Sequence, residues 1–466
     1  MRENKTYDEL EVGDEASIKR VCTGNDLYVF AHASGNLNPL HLPGAEAEGA
    51  SDQEKIAPSM WVGALVSAVL GNVLPGPGTL YHSQSFRFLD RAHEGDELTV
   101  TVKVLEKLED NLVKLSTTVK GRGGDGIAEG EATVYAPTQK IRVEDEEMPE
   151  LQVHRNRHFK RLFEACSGLP PLRTAVIAPE EKTSLGGAML AAEEDLIFPV
   201  LIGNEAAIKQ AAKEAGVDLG SAEIHNVPDH DAAARYAAEM ASKGEADALM
   251  KGALHTDQFL RAALSSAYGL RGTRRISHVF TFDVPGLDHL LMVTDAAINI
   301  APTLEEKVDI VQNAIDLAHS LGVESPKVGI LSAVETVTPK IPSTLDAAVL
   351  SKMAERGQIR GGMVDGPLAM DNAMDIEAAR TKGITSLVAG RADVLVAPNL
   401  EAGNMLAKEL VFVAHADGAG IVVGAKVPII LTSRADDEQA RLASCAIAAL
   451  HQARGGLAAQ RSVAAE

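Results

Sequence analysis

Two sets of residues have the types and spacing for chemistry. The first is Phe30-Ala31-His32-Ala33-Ser34-Gly35-Asn36-Leu37-Asn38-Pro39-Leu40-His41, where polar residues, a Pro and a His follow an apolar segment at once. Asn-Pro favours a turn, which would bring Asn36 and His41 together across a short loop. An imidazole beside a side-chain carbonyl can orient a water and take its proton. The same residues also suit a capped turn with a solvent-facing His, and both readings stand at this point.

The second set follows short apolar runs in the C-terminal two thirds. It comprises Lys251-Gly252 with His255 and Thr256, Thr294-Asp295 with Asn299, Ser332 with Glu335, and Asp365-Gly366-Pro367. Asn399 with Glu401, Gly403 and Asn404, and Thr432-Ser433-Arg434, complete it. Open α/β sheets bind ligands outside the carboxyl ends of their strands. Six polar loops at such positions predict a shared cleft, although each alone is more often a cap or a turn than a catalyst. Ser433-Arg434 would deliver a hydroxyl and a fixed cation together. Asp436 and Asp437 come next, either as a base for that pair or as the N-cap and first turn of the last helix. Arg271, Arg274 and Arg275, with Ser277 and His278, form a basic run that would receive an inorganic or CoA phosphate, or else a solvated loop. No GxGxxG follows a strand and no GxxxxGK[ST] occurs, so dinucleotide and Walker A loops are not expected.

The elements that must hold these residues differ between the two halves. Before residue 140, Leu98–Val104, Val113–Val119 and Ala128–Tyr135 alternate apolar and polar residues, the last weakened by Gly130. Period 2 predicts consecutive antiparallel strands with one face buried. Pro58–Leu74 is apolar nearly all round and reads as a buried helix. A sheet wrapped around a helix follows. Residues 138–155 are charged and aperiodic and read as a linker. Beyond them, apolar runs at 174–178, 198–202, 246–250, 290–293, 328–331, 393–397 and 429–431 alternate with helical stretches. That alternation predicts a parallel α/β sheet, with two subdomains and a cleft. Thr303 and Glu306 have capping-box spacing before a helix closing at Gly322. Residues 455–466 read as a flexible tail. The expected domains are 1–137 and 156–454.

Composition bounds the partners. The 466 residues carry 44 Lys and Arg against 65 Asp and Glu, a net charge of −21. Such a surface repels nucleic acid and anionic lipid, so an anionic ligand needs local cations and backbone N–H groups. Cys22, Cys166 and Cys445 are far apart with no CxxC, which argues against a thiolate zinc site or a disulfide framework. No leader-like or membrane-spanning apolar run is seen, so a cytoplasmic protein without bound metal is expected.

The N-terminal string resembles the hydratase motif of MaoC-like, (R)-specific enoyl-CoA hydratases, usually SGDxNPxH. Ile56-Ala57-Pro58-Ser59-Met60, where that family usually has Gly before Met, and FRFLDRAHEGDEL from Phe86 to Leu98 add to the likeness. It covers about residues 7–137 and implies an α+β hot-dog fold, an antiparallel sheet around a central helix. In that family an Asp and a His hold the water that adds across an enoyl-CoA double bond. His41 matches the His, and Asn36 stands where the Asp would be. An amide can position water but cannot carry a proton. The start of the buried helix, near Ser59, would offer N–H groups to a thioester carbonyl.

Residues 156–454 resemble the phosphate acetyl/butyryltransferase family. The matching strings are ALMKG (248–252), TDAAINIAPT (294–303), VDGPLAMDNA (364–373), ADVLVAPNLEAGN (392–404) and PIILTSRAD (428–436). The resemblance implies acyl-CoA + phosphate ⇌ acyl phosphate + CoA, with CoA thioester and phosphate as substrates and no bound cofactor. Ser433 and Arg434 match the family's Ser-Arg pair. The acetyltransferases place an Asp several residues further on; at that spacing this chain has Ala440, leaving Asp436 or Asp437 as candidate base. Lys251, Arg274, Arg275, Asp295, Asn299, Asp365, Asn399, Gly403 and Asn404 are the candidate substrate-binding residues. The whole then reads as a multifunctional enzyme, a transferase fused to a hydratase, both using CoA thioesters and forming a homo-oligomer. One alternative makes the N-terminal domain a non-catalytic acyl-CoA binding or oligomerisation module. Another is a dehydrogenase of related α/β fold that enlists Asp295 and Asp365.

Overall fold

A computed structural model describes residues 2–42, 55–144, 157–220, 222–431 and 438–463, the last eight of these and Arg157 in backbone only. Its contacts divide the chain into residues 1–153 and 154–466.

In the first unit the strands are β1 (Arg2–Glu3), β2 (Glu15–Val21), β3 (Leu80–Phe88), β4 (Glu97–Lys107), β5 (Leu112–Lys120), β6 (Gly126–Tyr135) and β7 (Arg142–Val143). The helices are α1 (Gly24–Ser34) and α2 (Ser59–Asn72). Five strands form one antiparallel sheet in the order β2-β4-β5-β6-β3, and β1 pairs with β7. Alternation in β4 and β5 turns Leu98, Val100, Val102, Val104, Val113, Leu115 and Val119 inward. There they meet Trp61, Val62, Val66, Val69 and Leu70 of α2. Each such side chain contributes roughly 1.5–3 kcal/mol when buried, which is why a helix lacking a polar face is stable here. Gly130 is no defect in β6. A Cβ there would lie 1.9 Å from the Ser85 carbonyl oxygen of β3, so the close strand approach needs the missing side chain.

The second unit begins with α3 (Arg157–Cys166), β8 (Leu172–Ile177), α4 (Lys182–Glu193), β9 (Ile197–Gly203), α5 (Glu205–Ala215), β10 (Glu223–Asn226), α6 (His230–Ser242), β11 (Ala248–Lys251) and α7 (Thr256–Ala263). It continues with β12 (Ser277–Asp283), β13 (Leu291–Thr294), α8 (Leu304–Ser320), β14 (Lys327–Leu331), α9 (Pro342–Glu355), β15 (Met363–Leu368), α10 (Met370–Met374) and α11 (Ile376–Thr381). It ends with β16 (Val394–Val396), α12 (Leu400–Phe412), β17 (Asp417–Val423), β18 (Ile429–Ile430) and α13 (Glu438–Val463). The Thr303–Glu306 capping box forms at the start of α8. The α13 backbone stays helical through Val463, into the stretch expected as a tail.

One sheet of eleven strands, β10-β9-β8-β11-β18-β17-β12-β13-β16-β14-β15, runs through this unit. Its two flanks are parallel, and the centre is not. β17 is antiparallel to both β18 and β12, and β12 is antiparallel to β13. The sheet is therefore α/β and mostly parallel, with two halves meeting at an antiparallel seam. The seam is built from β12 and β17, whose polar-interrupted sequences SHVFTFD and DGAGIVV do not read as apolar runs, yet they are almost wholly buried. Strand direction differs between the flanks: β8 to β11, β18 and β12 run one way, and β13 to β17 the other.

Candidate functional site

In the N-terminal unit, α1 ends at Gly35 in the left-handed conformation that follows a helix, releasing the chain into the predicted turn. Asn36 Oδ1 accepts from the Asn38 N–H at 3.2 Å, and Asn38 Oδ1 from the Leu40 N–H at 3.1 Å. The Asn36 side chain thus serves its own turn. His41 Nδ1 lies 2.8 Å from the Ile56 carbonyl oxygen. A carbonyl only accepts, so Nδ1 carries a proton and Nε2 is the nitrogen left for a ligand. His41 lines a cavity of about 180 Å³ with Leu40, Ile56, Ser59, Asp90 and Arg91. Ser59 opens α2, whose first turn has no side-chain cap, leaving amide donors for a carbonyl. The structure brings His41 and Ser59 together and leaves Asn36 off the lining. Asp90 and Arg91 were not anticipated as lining residues, although they fall inside the Phe86–Leu98 string.

In the C-terminal unit the predicted loops do not share one end of the sheet. Lys251 closes β11 beside β18, which leads into residues 432–437. Thr294, Leu331, Leu368 and Val396 close strands of the opposite direction. The expectation of six loops at one strand end is corrected accordingly: it assumed a uniformly parallel sheet, and the seam reverses it. Ser433, Arg434 and Asp436 lie outside the described residues.

What the structure does assemble is a network at the end of β13. The buried Asp295 carboxylate accepts from the N–H groups of His278 (3.3 Å), Ala297 (2.8 Å), Ile298 (3.0 Å) and Asn299 (3.2 Å), and from Asn299 Nδ2. Asn299 Oδ1 accepts from Arg275 Nε at 2.8 Å, and Arg275 also pairs with Glu306 at 2.7 Å. Asn404 Nδ2 donates to the Ala296 carbonyl at 3.1 Å. A Cβ at Gly403 would lie 2.3 Å from the Asp295 carbonyl oxygen, so only Gly lets α12 come this close. Asp295, Asn299, Arg275, Gly403 and Asn404 therefore form one constellation.

The other candidates stand apart from it. Arg274 pairs with Asp316 of α8. Asn399 caps α12 through the Ala402 N–H at 3.0 Å. Asp365 sits on β15, at the sheet's edge, and accepts from the Gly366 N–H at 2.8 Å. Of the two carboxylates enlisted for a dehydrogenase, Asp295 follows β13 and already holds five donors, while Asp365 lies on β15. Lys251 is buried, with Nζ 3.2 Å from the Gly252 carbonyl oxygen.

A second cavity, of about 410 Å³, opens on the seam. Phe159 and Phe163 of α3, Phe280 of β12, Asn404 of α12, Asp417 of β17 and Leu431 line it, together with Gln439 and Ala440 of α13. Leu431 and Gln439 bracket the segment that carries Ser433 and Arg434. The aromatic lining from α3 was missed, although Phe159, Leu162 and Phe163 have the i, i+3, i+4 spacing of a buried stripe. Behind the seam, burial holds the His278 imidazole down at about 4, against the pull of the Asp295 carboxylate and the Leu431 carbonyl. Burial also pushes the Cys22 and Cys445 thiols up to about 12 and Cys166 to about 11, so these buried thiols stay protonated. Among the described residues, no helix is long and apolar enough to cross a membrane.

Comparison with known proteins fits both units. Residues 229–449 match the family model described as phosphate acetyl/butaryl transferase, and residues 10–122 match the MaoC like domain. A phosphate acetyltransferase of Rhizobium meliloti is 59% identical over 296 residues, 64% of this chain and 94% of that protein. A phosphate butyryltransferase of Clostridium acetobutylicum is 44% identical over 278 residues, 60% of this chain and 92% of its own length. The crystal structure of a branched-chain phosphotransacylase from Enterococcus faecalis V583 superposes with a TM-score of 0.53 at 30% identity, covering 60% of this chain and 99% of that one. The chain belongs to the phosphate acetyl/butyryltransferase family and carries a MaoC-like domain in front of its transferase region.

Proposed function

We propose that the C-terminal unit transfers an acetyl or butyryl group between CoA and phosphate, and that the N-terminal unit hydrates an enoyl-CoA. The 59% identity over nearly the whole length of an acetyltransferase carries the first part. In the transfer, a phosphate oxygen bonds to the thioester carbonyl carbon and the C–S bond of the tetrahedral intermediate breaks. Arg434 would hold the phosphate in its planar fork against the carbonyl carbon. Ser433 would donate to the departing CoA sulfur, and Asp436 would take the remaining phosphate proton. Lys251, buried beside the strand that leads to this segment, adds positive charge. Asp295, Asn299, Gly403 and Asn404 hold the seam in shape. Arg274 and Arg275 would meet a CoA phosphate only by giving up carboxylate partners on α8. Asn399 and Asp365 serve the backbone of their own elements.

Thiol release from acetyl-CoA and butyryl-CoA, with and without phosphate, tests this reading. Phosphate-dependent release is expected; its absence with every acyl chain tried refutes the transferase assignment.

For the N-terminal unit, the cavity joining His41 Nε2 to the open first turn of α2 supports hydration. The turn would polarise the thioester carbonyl while His41 transfers a proton at C2. The second reading, a non-catalytic acyl-CoA module, is favoured by Asn36, whose side chain is committed to its own turn. Loss of crotonyl-CoA absorbance separates the two.

A further inference from the structure

The hydratase-like pocket lacks a carboxylate at position 36, but it is not without one. We infer that Asp90 is a catalytic residue of the N-terminal site and supplies the acid–base group that Asn36 cannot. This rests on the hydratase reading of that unit.

Three observations place Asp90. It lines the same cavity of about 180 Å³ as His41 and Ser59, and it is the one carboxylate among the described lining residues. Its backbone is tied to the wall that orients His41. The Leu89 and Asp90 N–H groups both donate to the Ile127 carbonyl, at 2.9 and 3.3 Å. The Ala57 N–H donates to the Ala92 carbonyl at 2.7 Å, and Ile56 bridges to His93. Ile56 is the residue whose carbonyl fixes the His41 ring. Asp90 thus lies two residues before Ala92 on one side of this short junction, and His41 is hydrogen-bonded to Ile56 on the other side. Third, one carboxylate oxygen is occupied by the Arg91 N–H at 2.8 Å, which fixes the group and leaves the other oxygen available.

The chemistry balances with these two groups. Ionised Asp90 takes a proton from water as the water oxygen bonds to C3 of the enoyl thioester. The C2=C3 electron pair moves to C2 and bonds the Nε2 proton of the His41 imidazolium. Asp90 is then protonated and His41 neutral, and proton return through pocket water restores both. H and OH have been added, with no other reactant.

The test is hydration of crotonyl-CoA and a longer enoyl-CoA by the full chain, for wild type, Asp90→Asn and Asp90→Ser, with thermal melting of each. The expected result is a loss of about 10²–10⁴-fold in both variants, the usual worth of one acid–base group, with melting kept. Either variant hydrating within threefold of wild type overturns the role of Asp90 while leaving the hydratase reading intact. A wild type that leaves both substrates unchanged overturns the hydratase reading and this inference with it.

Discussion

The two units make their pockets by different means. In the N-terminal unit a meander closes on one helix, and the pocket forms where residues 55–57 zip against 92–94. There β4, β5 and β6 follow one another through short connections, while β2 reaches β4 and β3 reaches β6 across longer separations, so the meander is marked by local alternation and the His41 turn by its own residues. In the C-terminal unit the cavity lies on an antiparallel seam between two parallel flanks, with walls from α3, α12 and α13, which are far apart in sequence. Local pattern therefore locates a site in the first unit and only suggests ingredients in the second.

The sharpest break between the units would come from their histidine and arginine. His41→Ala should lower enoyl-CoA hydration by about 10²–10⁴-fold, read as the rate of crotonyl-CoA absorbance loss. If phosphate-dependent CoA release fell in parallel, the two pockets would not act separately and the contrast would collapse. Arg434→Ala should lower kcat/KM for phosphate by about 10²–10³-fold, as expected for removing the fixed cation that holds the attacking phosphate in place. Its signature is a raised phosphate requirement; an unchanged phosphate dependence removes Arg434 from the site. Ser433→Ala should instead lower kcat with little change in KM, because its hydrogen bond forms as the sulfur leaves.

Next in size is the structural role of the seam. Asp295→Ala leaves several buried N–H groups without an acceptor, and such orphaned donors cost about 1–3 kcal/mol each when nothing replaces the partner. A loss of about 3 kcal/mol is expected for the C-terminal unit in denaturant unfolding. A loss below about 1 kcal/mol would mean that water replaces the carboxylate and that the network is not what holds β13 to α12.

Legibility in the sequence follows the same divide. The alternation at 98–104 and 113–119 appears as β4 and β5, and the all-apolar stretch as α2, because period 2 and burial all round leave few alternatives. The parallel flanks were legible as apolar runs between helices. The seam was not: a strand such as SHVFTFD is buried by neighbours brought from residues 417–423, and no local pattern encodes that pairing or its direction. For the same reason the polar loops read as one cleft divide between two ends of the sheet. The turn that carries His41 was legible from Asn38-Pro39. Asp90 was visible only as part of a string, since its relation to His41 depends on the Ile56–His93 bridge.

The smallest effect lies behind the seam and concerns pH. His278 is fully buried, and burial lowers its pKa from the ordinary imidazole value of about 6.5 to about 4. The folded chain therefore resists protonating it while the unfolded chain does not. Between about pH 6.5 and 4 the unfolded state binds more protons, so stability must rise with pH across that window and fall as the solution is acidified. Acidification from pH 8 to pH 5 should therefore lower the stability of the seam through this group. Hydrogen exchange of β12 and β17 amides at pH 8, 6 and 5 reads it locally, where a whole-chain melt would mix both units. Replacing His278 with Gln removes the titration and should flatten the dependence across the seam, while amides of β4 and β5, whose core holds no such histidine, should show the same pH response in both proteins. An equally steep seam dependence in His278→Gln would move the acid sensitivity to another group.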